Sequence, residues 1–405
     1  MRTPPRRVVV VGASLAGLRA AESLRELGFG GTLVVVGDEP HMPYDRPPLS
    51  KALLAGAVPA GGVAFPVAAD LDVDWRLGCP AARLDPRGRV VETADGTTLP
   101  YDGLVIATGA AARGWTGPGT APDRGVLTVR GLDDALALRS ALRAAREGGR
   151  RLVVVGAGFL GSEVAAVARS AGVAVTLVDP AAQPLERALG SVVGGFVAQA
   201  HREHGVDLRL STTVVELAGA GGGVRAVLSD GDRVTGAAVV LALGAVPNTG
   251  WLRGSGLDVV GGVACDRFGR VRTTRGRFLP DVVAAGDVCR VPEPLAGGAL
   301  VNQGHWTSAA EQARTAAATL LHGPGPLEPR VPSFWSDQYD LRIRSVGLPH
   351  LADGQQVLEL DPRGRRAEVL HHRGGELVGA VTVNRTGRLA AHRRTLLDLV
   401  AAPFR

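Results

Sequence analysis

Short apolar runs alternate along this chain with glycine-bearing turns and with stretches of helical spacing. Arg7–Val11 is such a run; the turn Gly12-Ala13-Ser14-Leu15-Ala16-Gly17, helical spacing over 18–27 and a second run, Thr32–Val36, follow it. Near-continuous valine predicts strands covered on both faces, as in a parallel sheet. The same order recurs at Arg151–Val155, Gly156-Ala157-Gly158-Phe159-Leu160-Gly161, an Ala/Val-rich helix, and a run over 173–178 ending at Asp179. Three further strands close on turns: one into Ala107-Thr108-Gly109, one over 239–243 into Gly244-Ala245-Val246-Pro247-Asn248, and one into Ala284-Ala285-Gly286-Asp287. Beyond the proline-rich stretch 323–329 the pattern changes. Short strands are expected over 341–346, 356–361, 367–372 and Glu376–Val383, with a closing helix over 389–400.

The two glycine turns carry a chemistry. The first glycine permits a tight turn and the last lets helix and strand pack closely, while the helix N-terminus offers free N–H groups to a pyrophosphate. Ser14 replaces the middle glycine of the first copy; the second copy, starting at Gly156, is intact and lies 144 residues after Gly12. An acid about 20 residues on can hold a ribose. Asp38 and Glu39 both fit in the first copy, and Asp179 in the second. A carboxylate at 179 repels a 2′-phosphate, and Pro180-Ala181-Ala182-Gln183 supply no cation to offset it, so NADH is expected over NADPH. The expected fold is α/β: two Rossmann-like dinucleotide-binding domains plus a small α+β C-terminal domain. The divisions expected are 1–112 (first part of one nucleotide domain), 113–245 (the second, entered through the Gly/Pro-rich stretch 114–125), 246–322 (return to the first) and 323–405.

Composition narrows the function. An apolar fraction of 45% and a charged fraction of 21% belong to a folded globular chain. No run approaches the length of a membrane-spanning helix, and the valines after the N-terminus are too few for a secretory signal, so the cytoplasm is expected. Cys79, Cys265 and Cys289 are scattered without a Cys-x-x-Cys, which argues against a disulfide framework, a cysteine metal site and a redox-active dithiol. The histidines show no metal-ligand pattern, and no metal is expected. His371 and His372, adjacent on a strand, should point to opposite faces. The net charge of +6 and pI of about 10.0 suit an acidic partner. With aromatics at 4% and no basic run interleaved with them, nucleic acid is not expected. Lys51 is the only lysine among 45 Lys+Arg residues. A compact ammonium where arginine serves everywhere else marks a place that needs a point-like cation.

These turns, with the strands ending at Gly109 and Asp287, resemble the two-dinucleotide-binding flavoproteins of the glutathione-reductase superfamily. Arg46-Pro47-Pro48-Leu49-Ser50-Lys51, then His305-Trp306-Thr307 with Glu311-Gln312, then Phe334-Trp335-Ser336-Asp337-Gln338-Tyr339 resemble one branch of it. That branch is the NADH-dependent ferredoxin reductases of bacterial oxygenase systems, of the putidaredoxin-reductase and biphenyl-dioxygenase-reductase type, and the likeness covers essentially the whole chain. It implies hydride transfer from NADH to a tightly held FAD, then single-electron delivery to a small acidic iron–sulfur ferredoxin. The alternative within the fold is an NADH oxidase or another small-acceptor reductase.

The resemblance also assigns residues. Asp287 holds the flavin ribityl chain. Lys51 lies beside the flavin N5 and pairs with Glu163, seven residues after Gly156. Arg46, Thr108, Gly109, Gly286 and His305 belong to the FAD site and Gly244 to the NAD side, while Trp306 and Trp335 stand near the flavin and the electron exit. Arg113 stands in for an arginine that such proteins carry close after the Thr-Gly turn. Arg314 and Arg344 are candidates to ring the exit and receive the partner. A monomer or weak dimer is expected.

Overall fold

The computed structural model describes residues 5–119 and 125–401, so residues 120–124 of the glycine- and proline-rich stretch 114–125 lie outside it. Its α-helices are α1 (Leu15–Glu26), α2 (Leu132–Glu147), α3 (Phe159–Ser170), α4 (Glu186–Glu203), α5 (Trp306–His322) and α6 (Leu389–Ala401). The valines of Arg7–Val11 and the last four residues of Thr32–Val36 are buried on both faces. These strands sit inside a six-stranded sheet ordered Arg270–Arg272, Phe278–Ala284, Gly103–Ile106, Arg7–Val11, Thr32–Val36, Asp74–Arg76. All are parallel except the first. Gly103–Ile106 pairs directly with Phe278–Ala284, so this sheet is completed only after the chain returns from a second one.

The second sheet is five-stranded and parallel, ordered Asp207–Arg209, Ala174–Val178, Arg151–Val155, Ala238–Leu241, Val126–Leu127. The outgoing and returning chains meet as an antiparallel pair, Ala110–Ala112 with Ala245–Pro247. Thr108 and Asn248 stitch that crossing with reciprocal 2.9 Å bonds, each side chain to the other's carbonyl. Each sheet also carries a three-stranded antiparallel meander, at Ala81–Asp85 to Thr98–Pro100 and at Val214–Ala220 to Arg233–Gly236. The apolar pattern had not announced these. Their strands bury one face only, as Leu217, Val224, Ala226 and Leu228 do against Val153, Val155 and Val239, so their apolar residues alternate with polar ones.

The C-terminal part is a five-stranded antiparallel sheet ordered Ser333–Gln338, Leu341–Gly347, Glu376–Val383, Arg366–Arg373, Gly354–Asp361. The last four are those expected from the pattern. Ser333–Gln338 joins them through a hairpin at Tyr339, whose φ of 53° is left-handed. One face packs Ile343, Val369, Val381 and Val383 on Leu189, Val193 and Val197 of α4. The other holds α6 through Val346, Ala380, Leu396 and Val400. Helix α4 bends at Gly190 (φ 79°), where Gln355 donates to the Leu189 carbonyl at 3.3 Å.

Two histidines are buried around this packing. His201 on α4 meets the Tyr339 hydroxyl through Nδ1 at 3.0 Å, while its Nε2 has no partner among the described residues. His371 is 1% exposed with neither nitrogen partnered among the described residues, and His372 is half-buried. Burial pushes both His201 and His371 from 6.5 down to about 4. Each therefore takes a proton more readily unfolded than folded. Stability is complete above pH 6.5 and falls as the pH drops towards 4, by on the order of 2 kcal/mol per histidine. Urea unfolding at pH 7.5 and pH 4.5 should show that loss, and His371→Phe should remove part of it. Equal losses in wild type and variant would refute the assignment to His371.

Candidate functional site

The carboxyl ends of the two parallel sheets open into one cavity of about 1560 Å³. Both glycine turns form its floor in the same way. A Cβ on Gly12 (φ +124°) would stand 2.1 Å from the Ala107 carbonyl oxygen, and one on Gly156 (φ +102°) 2.4 Å from that of Ala242. Gly17 and Gly161 lie behind the turns, where a Cβ would stand 1.8 Å from the carbonyl oxygens of Gly12 and Gly156 respectively. They allow helix to touch strand and do not line the cavity. Neither Ser14 nor Gly158, the residues capping α1 and α3, places a side chain on the helix N–H groups, and no acid occupies either first turn. Ser14, Leu15 and Ala16 line one end of the cavity, and Gly158, Phe159 and Leu160 the other. Two uncapped helix starts face a single space. That is a fit for two pyrophosphates.

On the first side Asp38 and Glu39 both reach the cavity, with Asp38 exposed and Glu39 half-buried. Glu39 is fixed: Arg46 donates to Oε1 at 2.5 Å and the Tyr44 hydroxyl donates to Oε2. Tyr44 in turn accepts the Leu132 N–H at the start of α2 at 2.9 Å, and Arg46 bonds the Arg130 carbonyl and the Ser14 hydroxyl. Thr108, Gly109, Gly286 and Asp287 line the same wall, Gly286 with φ +83° and a virtual Cβ 3.0 Å from that of Ala16.

Arg113 is not there. It is exposed and outside the lining, because Ala110–Ala112 leaves the cavity to pair with Ala245–Pro247 and Arg113 continues that pairing through the Gly244 carbonyl. The arginine present is Arg130, just before α2: its Nη2 donates to Asp287 Oδ2 at 2.7 Å, and its buried Nε has no partner among the described residues. Sequence reading missed it because it enters from the second nucleotide unit. Its one signal was proximity to Gly131-Leu132-Asp133-Asp134, a helix start.

On the second side Asp179 accepts the Ala157 N–H at 2.6 Å and the Ala181 N–H at 2.8 Å, which clamps the acid onto the glycine turn. Gly244 lines the same space. Residues 180–183 supply no cation there, but the exposed Arg187 beyond them does line the cavity.

Between the two sides stands the expected ion pair. Lys51 Nζ lies 2.5 Å from Glu163 Oε2, with the carboxylate 5% exposed. Ser50 also donates to Oε2, and Ser336 to Oε1, each at 2.6 Å. Neither serine had been singled out. Above the pair, Phe334 meets Phe159 edge-on at 4.5 Å and stacks on His305 at 5.2 Å. Burial pushes His305 down to about 4, so it is neutral at neutral pH. Trp306 donates to Asp45 at 2.8 Å and meets Trp335 edge-on at 6.5 Å. Trp335 lines the cavity yet is 38% exposed, so it joins the interior to the surface.

Arg314 is exposed on α5 and outside the lining. Arg344 is not a free cation: it pairs with Asp337, two residues beyond its cross-strand neighbour Trp335, at 2.7 Å.

The family description for pyridine nucleotide-disulphide oxidoreductases matches residues 6–318, and that for the reductase C-terminal region matches residues 333–402. The chain belongs to the pyridine nucleotide-disulphide oxidoreductase family. Among its relatives, the rhodocoxin reductase of Rhodococcus erythropolis is 38% identical, over 96% of this chain and 89% of that one. The ferredoxin–NAD(+) reductase component of the anthranilate 1,2-dioxygenase system of Burkholderia cepacia is 37% identical, over 96% and 93%. The structure of the covalent putidaredoxin reductase–putidaredoxin complex superposes with a TM-score of 0.89 at 32% identity, over 97% of this chain and 93% of that one. The family name refers to a disulphide, but none of the three cysteines lines this cavity, and all are free thiols.

The turns leave no room for a methyl group. Gly12→Ala and Gly156→Ala should each cost on the order of 3 kcal/mol, because the clash is with backbone rather than a mobile side chain. Urea midpoints equal to wild type for either variant would contradict this geometry.

Proposed function

We propose that the protein is an FAD-dependent NADH:ferredoxin oxidoreductase serving an oxygenase. The observation that carries the reading is one cavity with a pyrophosphate cradle at each end, a buried lysine–carboxylate pair between them, a tryptophan leading outward and no cysteine. Bound FAD supplies the hydride acceptance and single-electron release that no side chain here performs. The relatives named for ferredoxin reduction and the putidaredoxin complex support an iron–sulfur ferredoxin as acceptor. The pI of about 10.0 supports an acidic one.

The chain's own residues bind, orient and exclude. In this reading Gly12, Ser14, Leu15 and Ala16 hold the FAD pyrophosphate at the start of α1, while Gly17 sets the packing behind it. Glu39, fixed by Arg46 and Tyr44, takes the adenosine ribose rather than the exposed Asp38. Arg130 and Asp287 hold the ribityl region beside Thr108, Gly109 and Gly286, in the place first given to Arg113. Gly156, Gly158, Phe159 and Leu160 receive the NADH pyrophosphate, with Gly161 behind them, Gly244 beside them and Asp179 on the ribose. Lys51, charged and held by Glu163, presents a cation to the ring edge where negative charge develops on reduction. His305 and Trp306, which line the same cavity, would bound the flavin site, and Trp335 would offer the way out. Arg314 is the remaining docking candidate, since Arg344 is neutralised by Asp337.

We take 1–112 with 246–322 as the FAD domain, 113–245 as the NAD domain and 323–405 as the exit domain. No helix among the described residues is long and apolar enough to cross a membrane. The cytoplasm, where NADH is supplied, is the proposed setting.

Purified protein should carry flavin absorption bands that bleach with one equivalent of NADH under anaerobic conditions. A colourless protein that takes up no FAD would end the proposal. Rapid mixing of the reduced protein should show fast oxidation by an acidic ferredoxin and slow oxidation by oxygen; the reverse order would make it an oxidase. NADH should surpass NADPH in kcat/KM by about tenfold or more, since Asp179 faces a 2′-phosphate with like charge. Equal use of NADPH would show that Arg187 outweighs Asp179.

A further inference from the structure

The strand Ser333–Gln338 has two unlike faces. Trp335 and Asp337 point outward, while Phe334, Ser336 and Gln338 point inward, and Ser336 and Gln338 are 0% and 1% exposed. The inward face lies on α3, with Phe334 against Phe159 and the Ser336 hydroxyl 2.6 Å from Glu163 Oε1. Thus the residue beside the exit tryptophan touches the counter-ion of the lysine. A hydroxyl has one proton to give. Gln338 Nε2 donates to the Ser336 oxygen at 3.2 Å, which leaves the proton free to point only at Glu163.

The opposite placement of the Gln338 amide would put an acceptor against Ser336 and compete for that proton. In the placement seen, Gln338 Oε1 is buried without a partner among the described residues. An orphaned acceptor destabilises the fold. What the amide contributes there is the direction of the serine's hydrogen bond.

We propose that Ser336, oriented by Gln338, is a positioning residue that fixes the Glu163 carboxylate and so sets the effect of Lys51 on the flavin potential. The proposal rests on the FAD and Lys51 reading above. Oε2 of Glu163 is occupied by Lys51 and Ser50, and Oε1 by Ser336. With both oxygens engaged the carboxylate does not turn, and the ammonium keeps its place at the cavity edge. Without Ser336, Oε1 is a second, unshielded site for the same ammonium. The ammonium is then free to shift along the carboxylate towards Oε1 and away from the cavity edge, and the carboxylate loses the serine's hydrogen bond. Both changes disfavour added electrons on a nearby ring.

The test uses the FAD-loaded protein and reads an equilibrium. The flavin midpoint potential is measured against a reference dye for wild type, Ser336→Ala, Ser336→Thr and Gln338→Met, together with FAD content and thermal midpoint. Ser336→Ala should shift the reduction equilibrium about tenfold against the reduced form, ~30 mV more negative for a two-electron couple. FAD content should be retained. Ser336→Thr, which restores the hydroxyl, should return the wild-type potential, and Gln338→Met should move it in the same direction as Ala by a smaller step. A Ser336→Ala potential equal to wild type overturns the proposal, as does a Thr variant shifted as far as Ala, which would mark a packing effect. Should Ser336→Ala fail to fold, the Gln338→Met potential decides by the same criterion. A wild-type protein without FAD, or one that NADH does not reduce, would instead sink the functional reading itself.

Discussion

A single buried carboxylate organises this molecule. Glu163 projects from α3 in the second nucleotide-binding unit into a place where water is nearly excluded, and a charge there is tolerated only with partners around it. Its partners come from the other two parts of the chain: Ser50 and Lys51 from the first unit, Ser336 from the C-terminal sheet. Removing either part would leave one of its oxygens short of a donor. The carboxylate thereby ties the relative placement of three parts of the chain to one point, and that point lies beside the space between the two glycine turns. Buried ion pairs seldom add much net stability over apolar packing. The gain here is geometric, because the pair specifies where a cation sits.

The rest of the architecture brings that pair to the right place. Each parallel sheet ends on a glycine turn and an uncapped helix start, and the antiparallel crossing at Ala110–Ala112 and Ala245–Pro247 turns the two carboxyl edges to face each other. Tyr44 and Arg46 reach across from the first unit to the Leu132 N–H and the Arg130 carbonyl, so the two residues that fix Glu39 also anchor the start of α2. Arg130 then returns to Asp287. Each unit contributes to the other's wall, and neither half of the cavity is complete alone.

The repeated glycine turns and the solitary Lys51 were legible because each rests on a local requirement: a backbone too close for a Cβ, or a cation of one shape. The Lys51–Glu163 pair was legible only through resemblance, since 112 residues separate the partners. Arg113 failed and Arg130 was missed for one reason. Sequence proximity to Thr108-Gly109 says nothing when the chain leaves for another domain and comes back with a different arginine. Ser50 and Ser336 carry no pattern of their own; hydroxyls are common, and only burial against a carboxylate distinguishes these two. Arg344 looked free because its partner Asp337 meets it diagonally across a hairpin whose turn, at Tyr339, depends on a left-handed residue that sequence does not flag.

That last pairing bears on how electrons leave. With Arg344 paired to Asp337, the outward face of the strand presents a half-exposed indole beside a closed ion pair. A net charge of +6 acts at long range, which speeds encounter with an acidic partner and fades with salt. In the proposed function, contact at Trp335 would by contrast be apolar and short-ranged, and salt would leave it largely alone. Steering and seating are thus divided between different features of the molecule. The strand that would seat a partner on its outer side is the same strand that holds Glu163 on its inner side.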